Sequence, residues 1–314
     1  MSDKFIETKC PCCGSNETID KFFANSYRTK DADSASYVRC KSCGSLYVNS
    51  RLISIEKNDN YDERYQQTYE KLINKLKRKW YRFFSCWMYG LLSGFPHIRL
   101  PHEWNIGDKL LDIGCGIGLQ TKLLQKKGVK IIGIDCSYQA IKLANEINDG
   151  EEFICTDYLD LNNEEKFNFI RLDNVIEHIE NPEQLFGKIL EILQLHGRLV
   201  IFTPNAGSAS LKFLRGKSVS AWPDEHVIIF SKKGLTGLLK RSGFEIKRVR
   251  ENTPAWWLAY NFLMLISDGG KITADSFLLK IISMCLLPVT YVLNFLNLNE
   301  EIVIEAVLSP RLET

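Results

Sequence analysis

The amino-acid sequence predicts a doubly wound α/β protein with a seven-stranded, mostly parallel sheet and a small cysteine-bound domain at its N-terminal end. Three observations predict it. From residue 107 onward, short apolar runs alternate with helical segments, as chained βα units do. The first such run, Lys109–Ile113, opens directly into a loop carrying Gly114, Gly116 and Gly118. Five of the ten cysteines fall in the first 43 residues, four of them in two Cys-x-x-Cys pairs.

Composition sets the outer bounds. A chain of 314 residues, 45% hydrophobic and 25% charged, is long enough for one large folded domain and a small appendage. A formal net charge of +2 argues against a dedicated nucleic-acid binder, which carries a strong basic excess. Residues 1–9 are polar and charged, unlike a secretory signal, so reduced cysteines in the cytoplasm are expected.

Residues 1–50 read as a zinc ribbon. Cys10 and Cys13, then Cys40 and Cys43, form two tight knuckles whose spacing lets both sulfurs of a pair face one ion. Gly14 and Gly44 permit the turn after each pair. Four thiolates make a closed tetrahedral site, so the Zn2+ is structural, holding together a segment too poor in apolar residues to fold alone. Cys12 is the spare thiol. Residues 51–105 are a linker and lead-in, with a basic amphipathic helix expected over residues 71–82.

Residues 106–314 carry the α/β pattern. Strands are expected at 109–113, 130–134, 152–155, 167–172, 198–202, 244–249 and 302–308. Helices are expected at 119–127, from the cap Ser137 to Ile147, at 182–193 with Pro182 in its first turn, and at 233–242 closed by Gly243. An apolar insertion, 253–299, interrupts the last two strands.

Sheets of this kind bind ligands beyond the carboxyl ends of their strands. Glycines at every second position do not match the G-x-G-x-x-G spacing of dinucleotide loops, which favours a nucleoside without a pyrophosphate. Asp135 ends the second strand, where a carboxylate accepts from both ribose hydroxyls; Asp157, at the tip of the third, can accept from an adenine amine.

On these residues the chain resembles the class I S-adenosylmethionine-dependent methyltransferases, whose sheet is Rossmann-like. Leu111-Asp-Ile-Gly-Cys-Gly-Ile-Gly118 is similar to their first motif, and Asp135 and Asp157 stand where their ribose and adenine acids stand. Asn174-Val-Ile-Glu-His-Ile-Glu-Asn-Pro182 resembles the fourth-strand motif of the branch that contains quinone-pathway O-methyltransferases. Residues 197–205, 224–231 and 242–244 continue that branch, and its zinc-ribbon members share the stretch 43–51. Ser50, where a proline is usual, and Leu195-His196-Gly197, where Pro-Gly-Gly is usual, depart from it. The resemblance implies S-adenosylmethionine as cofactor, held by Asp112, Gly114, Cys115, Gly116, Gly118, Asp135, Cys136, Asp157, Tyr158 and Asn174. Its zinc-ribbon members imply an acceptor among sugars or lipid-linked glycans of cell-surface polysaccharide synthesis; a quinone precursor is the alternative.

Methyl transfer to a hydroxyl needs a base, and His178 and His226 are the candidates. The insertion pairs an apolar run at 256–266 with an uncharged run at 281–299. The first run is too short to cross a bilayer, and both flanking strands belong to one sheet, so a hairpin lying against the membrane interface is expected. That places the protein in the cytoplasm with peripheral contact at the inner face of the membrane, or else with the two runs packed as a lid or dimer interface. A zinc-ribbon RNA methyltransferase lacks a sufficient basic surface here, and a non-catalytic scaffold does not account for the intact acids and glycines.

Overall fold

In the computed structural model the described residues are 6–7, 9–24, 35–51, 105–118, 128–148, 152–223, 225–266 and 277–310. The expected helices at 71–82 and 119–127 lie outside them.

Five short strands open the chain: β1 (Ile6–Glu7), β2 (Thr18–Ala24), β3 (Ala35–Cys40), β4 (Leu46–Val48) and β5 (Ser50–Arg51). The α/β part supplies β6 (Lys109–Ile113), β7 (Lys130–Asp135), α1 (Tyr138–Ile147), β8 (Glu152–Cys155), β9 (Phe167–Asp173), α2 (Pro182–Ile192) and β10 (Leu193–Pro204). After these come α3 (Ala209–Leu214), β11 (Ile228–Ile229), α4 (Lys232–Arg241), β12 (Phe244–Asn252), α5 (Ala255–Ile266), α6 (Phe277–Phe295) and β13 (Glu301–Leu308).

The seven-stranded sheet has the order β12-β13-β10-β9-β6-β7-β8. Strands β8, β7, β6, β9 and β10 are parallel neighbours, and β13 alone runs against both of its partners. The order reverses between β6 and β9, which sets the topological switch point at the loop after β6. Each expected strand forms. The fifth is longer than its apolar run implies, because β10 begins directly where α2 ends and shifts register between Leu193 and Arg198. Side-chain caps start the helices: Ser137, Asn181, Ser208 and Ser231 each accept a first-turn N–H.

The ribbon does not stand apart from the sheet. Strand β11 from the α/β part joins β4, so the ribbon's sheet has the order β11-β4-β3-β2. Cys10, Cys12, Cys40, Cys43 and Tyr47 share one hydrophobic core with Leu235, Leu238, Leu239, Phe186 and Ile201. The apolar insertion forms a pair of helices, α5 and α6, packed through Ala259, Leu263 and Leu279. Pro288 lies inside α6, and Asn297, in the left-handed region at φ 54°, follows the helix's last turn, where Leu298 N–H donates to the Leu293 carbonyl.

Candidate active site

The loop after β6 is shaped by backbone conformations that side chains resist. Gly114, Gly116 and Gly118 have φ of 69°, 53° and 67°. A Cβ on Gly114 would sit 2.4 Å from a methyl of Val175, and one on Gly118 would sit 2.5 Å from the Phe153 ring. The loop is stitched to the next strand: Gly114 and Cys115 N–H groups donate to Ile134 O, and Gly116 N–H donates to Asp135 Oδ2 at 3.0 Å.

Asp135 is buried, and its Oδ1 also accepts from Ser137 N–H at 2.9 Å. Both carboxylate oxygens therefore face the backbone of the loop and of the turn that follows β7. Asp112 lies within the sheet under the loop. There its Oδ2 accepts from Arg171 Nη1 at 3.0 Å, and Arg171 also pairs with Asp173. Cys115 packs on the Ile141–Ala144–Phe153 cluster, and burial beside Asp112 and Asp135 pushes its thiol up. Cys136 follows Asp135, and its carbonyl accepts from the Cys155 thiol. Asp157, exposed at the tip of β8, caps a turn through Oδ1 to Leu159 N–H, while Tyr158 packs its half-buried ring on the main core. The Asp135 carbonyl accepts Thr156 N–H, joining the two acidic tips. Asn174 follows β9 at φ 53°, a conformation asparagine tolerates, and donates to Asp173.

The two histidines meet. Their rings lie 4.9 Å apart, edge to face. His178 Nδ1 is 2.8 Å from the Glu225 carbonyl and His226 Nδ1 is 2.9 Å from the Ser220 carbonyl. A carbonyl only accepts, so the Nδ1 atom of each ring is the donor in these two contacts. Burial, and then His226, pull His178 down to about 4, so it is neutral at pH 7. Trp222 stacks on His226 at 6.5 Å.

Beside them Glu177 is fully buried. Its Oε2 accepts from Thr203 Oγ1 at 2.9 Å, while Oε1 has no hydrogen-bond partner among the described residues. Burial raises its carboxyl to about 8, with Asp173 and Glu301 adding to the rise. Val175 joins this cluster to the glycine loop, since it packs on Gly114 three residues before His178.

The four predicted metal ligands also come together. Cys10, Cys13, Cys40 and Cys43 sulfurs all lie within 4.8 Å of one another. The Cys10–Cys43 and Cys13–Cys40 separations are 3.6 and 3.5 Å, close to the roughly 3.8 Å edge of a tetrahedron with 2.3 Å zinc–sulfur bonds. The donor set fits zinc. Cys12 is buried with its thiol against Cys10 and Cys43, and its carbonyl accepts from Arg241.

Sequence reasoning missed Arg171, Tyr37 and Trp222. Arg171 had a signal, an arginine in an apolar central strand, aligned with Asp112 in the ladder. Tyr37 and Trp222 had none, because their roles arise only from packing between distant segments.

A family model described as a methyltransferase domain matches residues 61–249, and the chain belongs to that family. Among curated proteins it is 29% identical over 124 residues to the mitochondrial ubiquinone biosynthesis O-methyltransferase of Dictyostelium discoideum, covering 34% of this chain and 38% of that one. With the ubiquinone biosynthesis O-methyltransferase of Nitrobacter winogradskyi it shares 29% identity over 156 residues, 44% of this chain and 59% of the relative. The chain thus spans about half the length of the curated relatives it matches. Among solved structures, phosphoethanolamine N-methyltransferase 2 of Haemonchus contortus, bound to phosphomonomethylethanolamine and S-adenosylhomocysteine, superimposes with a TM-score of 0.54 at 19% identity. The match covers 84% of this chain and 62% of that one, and it shows the shared fold.

Proposed function

We propose that the chain transfers a methyl group from S-adenosylmethionine to a hydroxyl of a small or lipid-linked acceptor, with His226 as the base. The observation that supports this reading is the packing of Gly114 against Val175, three residues before His178, whose ring meets that of His226. S-adenosylmethionine, when bound, supplies an electrophilic methyl on a sulfonium. The glycine loop would carry it on tightly turned backbone, Asp135 and Asp157 would offer carboxylates to ribose and adenine, and Asn174 stands just past the end of β9.

His226 takes the acceptor's proton on Nε2 as the C–O bond forms and the C–S bond breaks. His178, neutral and tied to Glu225, supports the His226 ring from its edge. Trp222 and the hairpin side of the site keep water from the reacting atoms.

The acceptor we favour is a sugar or lipid-linked glycan of cell-surface polysaccharide synthesis, met at the cytoplasmic face of a membrane. Support for the lipid element is the hairpin, whose helix α6 is long and apolar enough to cross a membrane yet has only 17% of Leu278–Phe295 buried. The names of the curated relatives favour a second acceptor, a quinone precursor. Calorimetry with S-adenosylhomocysteine tests the donor site: binding lost in Asp135→Ala is expected, and no binding by the parent protein overturns the reading. Labelled methyl carried from the cofactor into extracted glycolipid supports the first acceptor, and label in the quinone fraction supports the second. His226→Ala with undiminished transfer removes the base.

A further inference from the structure

The segment that carries His226 is held from two sides. Val227 N–H donates to the Glu177 carbonyl at 2.9 Å, on the sheet side, and the Val227 carbonyl accepts from Val48 N–H at 3.1 Å, on the ribbon side. The next two residues are β11, paired antiparallel to β4 with Ile228 opposite Tyr47 and Ile229 opposite Leu46. Tyr37, fully buried on β3 and stacked on Phe22, donates its hydroxyl to the His226 carbonyl at 2.5 Å. Tyr37 faces Val48 in the β3–β4 ladder.

That ladder is closed by two of the metal ligands. Cys40 ends β3, Cys43 lies three residues before β4, and Cys40 N–H donates to the Ser45 carbonyl. The clamp continues past β11, where Ser231 Oγ donates to the Cys43 carbonyl and Ser231 N–H to Ser45 Oγ. The donor loop's hydrogen bonds run elsewhere, to Ile134 and Asp135 of β7, and it meets the histidine segment through the packing of Gly114 on Val175.

We propose that Tyr37 is a positioning residue for His226, and that the zinc-closed ribbon, acting through Tyr37 and the β4–β11 pair, sets the acceptor half of the site separately from the donor half. The ribbon is then part of the active site rather than a recruiting module beside it. The proposal rests on the reading of His226 as the base, but its geometric content is tested without any acceptor.

The experiment is hydrogen exchange on the whole zinc-loaded 314-residue chain, with the His226 imidazole followed by NMR. Tyr37→Phe removes one hydroxyl and keeps the ring. Its zinc content should match the parent, the His226 ring signal should shift, and the amides of 226–230 should exchange about tenfold faster. Stripping zinc with a chelator should remove the protection of 226–230 altogether. The amides of 131–135 should keep theirs, and S-adenosylhomocysteine should bind within about twofold of the parent affinity. Parent-like exchange and an unmoved His226 signal in Tyr37→Phe overturn the positioning role. Loss of S-adenosylhomocysteine binding together with the protection of 226–230 overturns the separation of halves. If His226→Ala transfers methyl normally while Tyr37→Phe loosens the segment, the base reading fails and the positioning stands.

Discussion

The N-terminal ribbon and the C-terminal hairpin are both additions to the same seven-stranded sheet, and both end on residues 205–231, but they are attached by different chemistry. The ribbon is joined by a strand pair, by Arg39 donating to the Ala206 carbonyl, and by a shared hydrophobic core. The hairpin touches the same segment at fewer polar points, notably Val219 N–H to Asn261 Oδ1 and the Trp222–Tyr260 ring contact. Its outer face is bare: Tyr291 is 71% exposed and Phe295 85%. A segment that completes a site must be fixed in register, which backbone pairing provides. A surface that keeps large apolar side chains in water is built for something to cover it.

The comparison breaks first at the metal. Cys40→Ser should abolish zinc binding, measured by atomic emission. Structural zinc contributes on the order of 10 kcal/mol to folding, so the ribbon should lose its cooperative thermal transition. Because Cys40 and Cys43 share a core with Leu235 and Leu238, the effect should extend into α4. An unchanged melting profile with zinc absent would mean the ribbon folds on its apolar residues alone.

Where ribbon-held and sheet-held residues meet, Glu177 and His178 give opposite dependences on pH. Glu177, raised from an ordinary 4.5 to about 8, makes the folded chain bind the extra proton between those values, so stability falls as pH rises through that window. His178, lowered from 6.5 to about 4, makes the unfolded chain bind the extra proton, so stability falls as pH drops through 6.5 toward 4. The two slopes oppose between pH 4.5 and 6.5. From 6.5 to 8 Glu177 acts alone among this pair, a loss of about 2 kcal/mol. Glu177→Gln should flatten that alkaline limb in urea unfolding. The same slope in the variant would show that Glu177 is already ionised in the fold.

What was legible in the sequence follows the same division. The strands, the Ser137 cap, the glycine loop and the Cys-x-x-Cys knuckles are local patterns, and each appears where its residues are. The Asp112–Arg171 pair was half visible, as an arginine in an apolar strand without its partner. The ribbon's hold on His226 was not visible, because Tyr37 and His226 are 189 residues apart and no periodicity links them. The sharing of one core between cysteines near the N-terminus and leucines of α4 is likewise a product of the fold.

On the hairpin side, Leu298 and Asn299 carbonyls accept from Ala209 and Asn205, and α5 adds Asn261, buried, whose Oδ1 accepts Val219 N–H at 3.0 Å while its Nδ2 donates to the Trp257 carbonyl. Asn261→Leu leaves the Val219 N–H buried without a partner, which should cost about 1–3 kcal/mol. Hydrogen exchange should rise at Val219 before it rises in β11, if hairpin and ribbon hold separate ends of the segment. Equal increases at both ends would make them one unit.

The smallest effect on stability should come from the outer face, and it should be the most informative about the hairpin's purpose. Tyr291 and Phe295 sit one turn apart on α6. Replacing both with glutamate removes no buried contact, so unfolding free energy should change by only about 0.5 kcal/mol. Binding to phospholipid vesicles, read by co-sedimentation, should nonetheless be lost, because two carboxylates cannot enter the acyl boundary uncompensated. Helix α5 has 12 residues, about 18 Å of helix and too short to cross a bilayer, and β12 and β13 return to one sheet. Binding should therefore be peripheral and released by carbonate wash without detergent. A parent protein that ignores vesicles but sediments as a dimer, and a double variant that sediments as a monomer, would assign the bare face to a second copy of the chain instead.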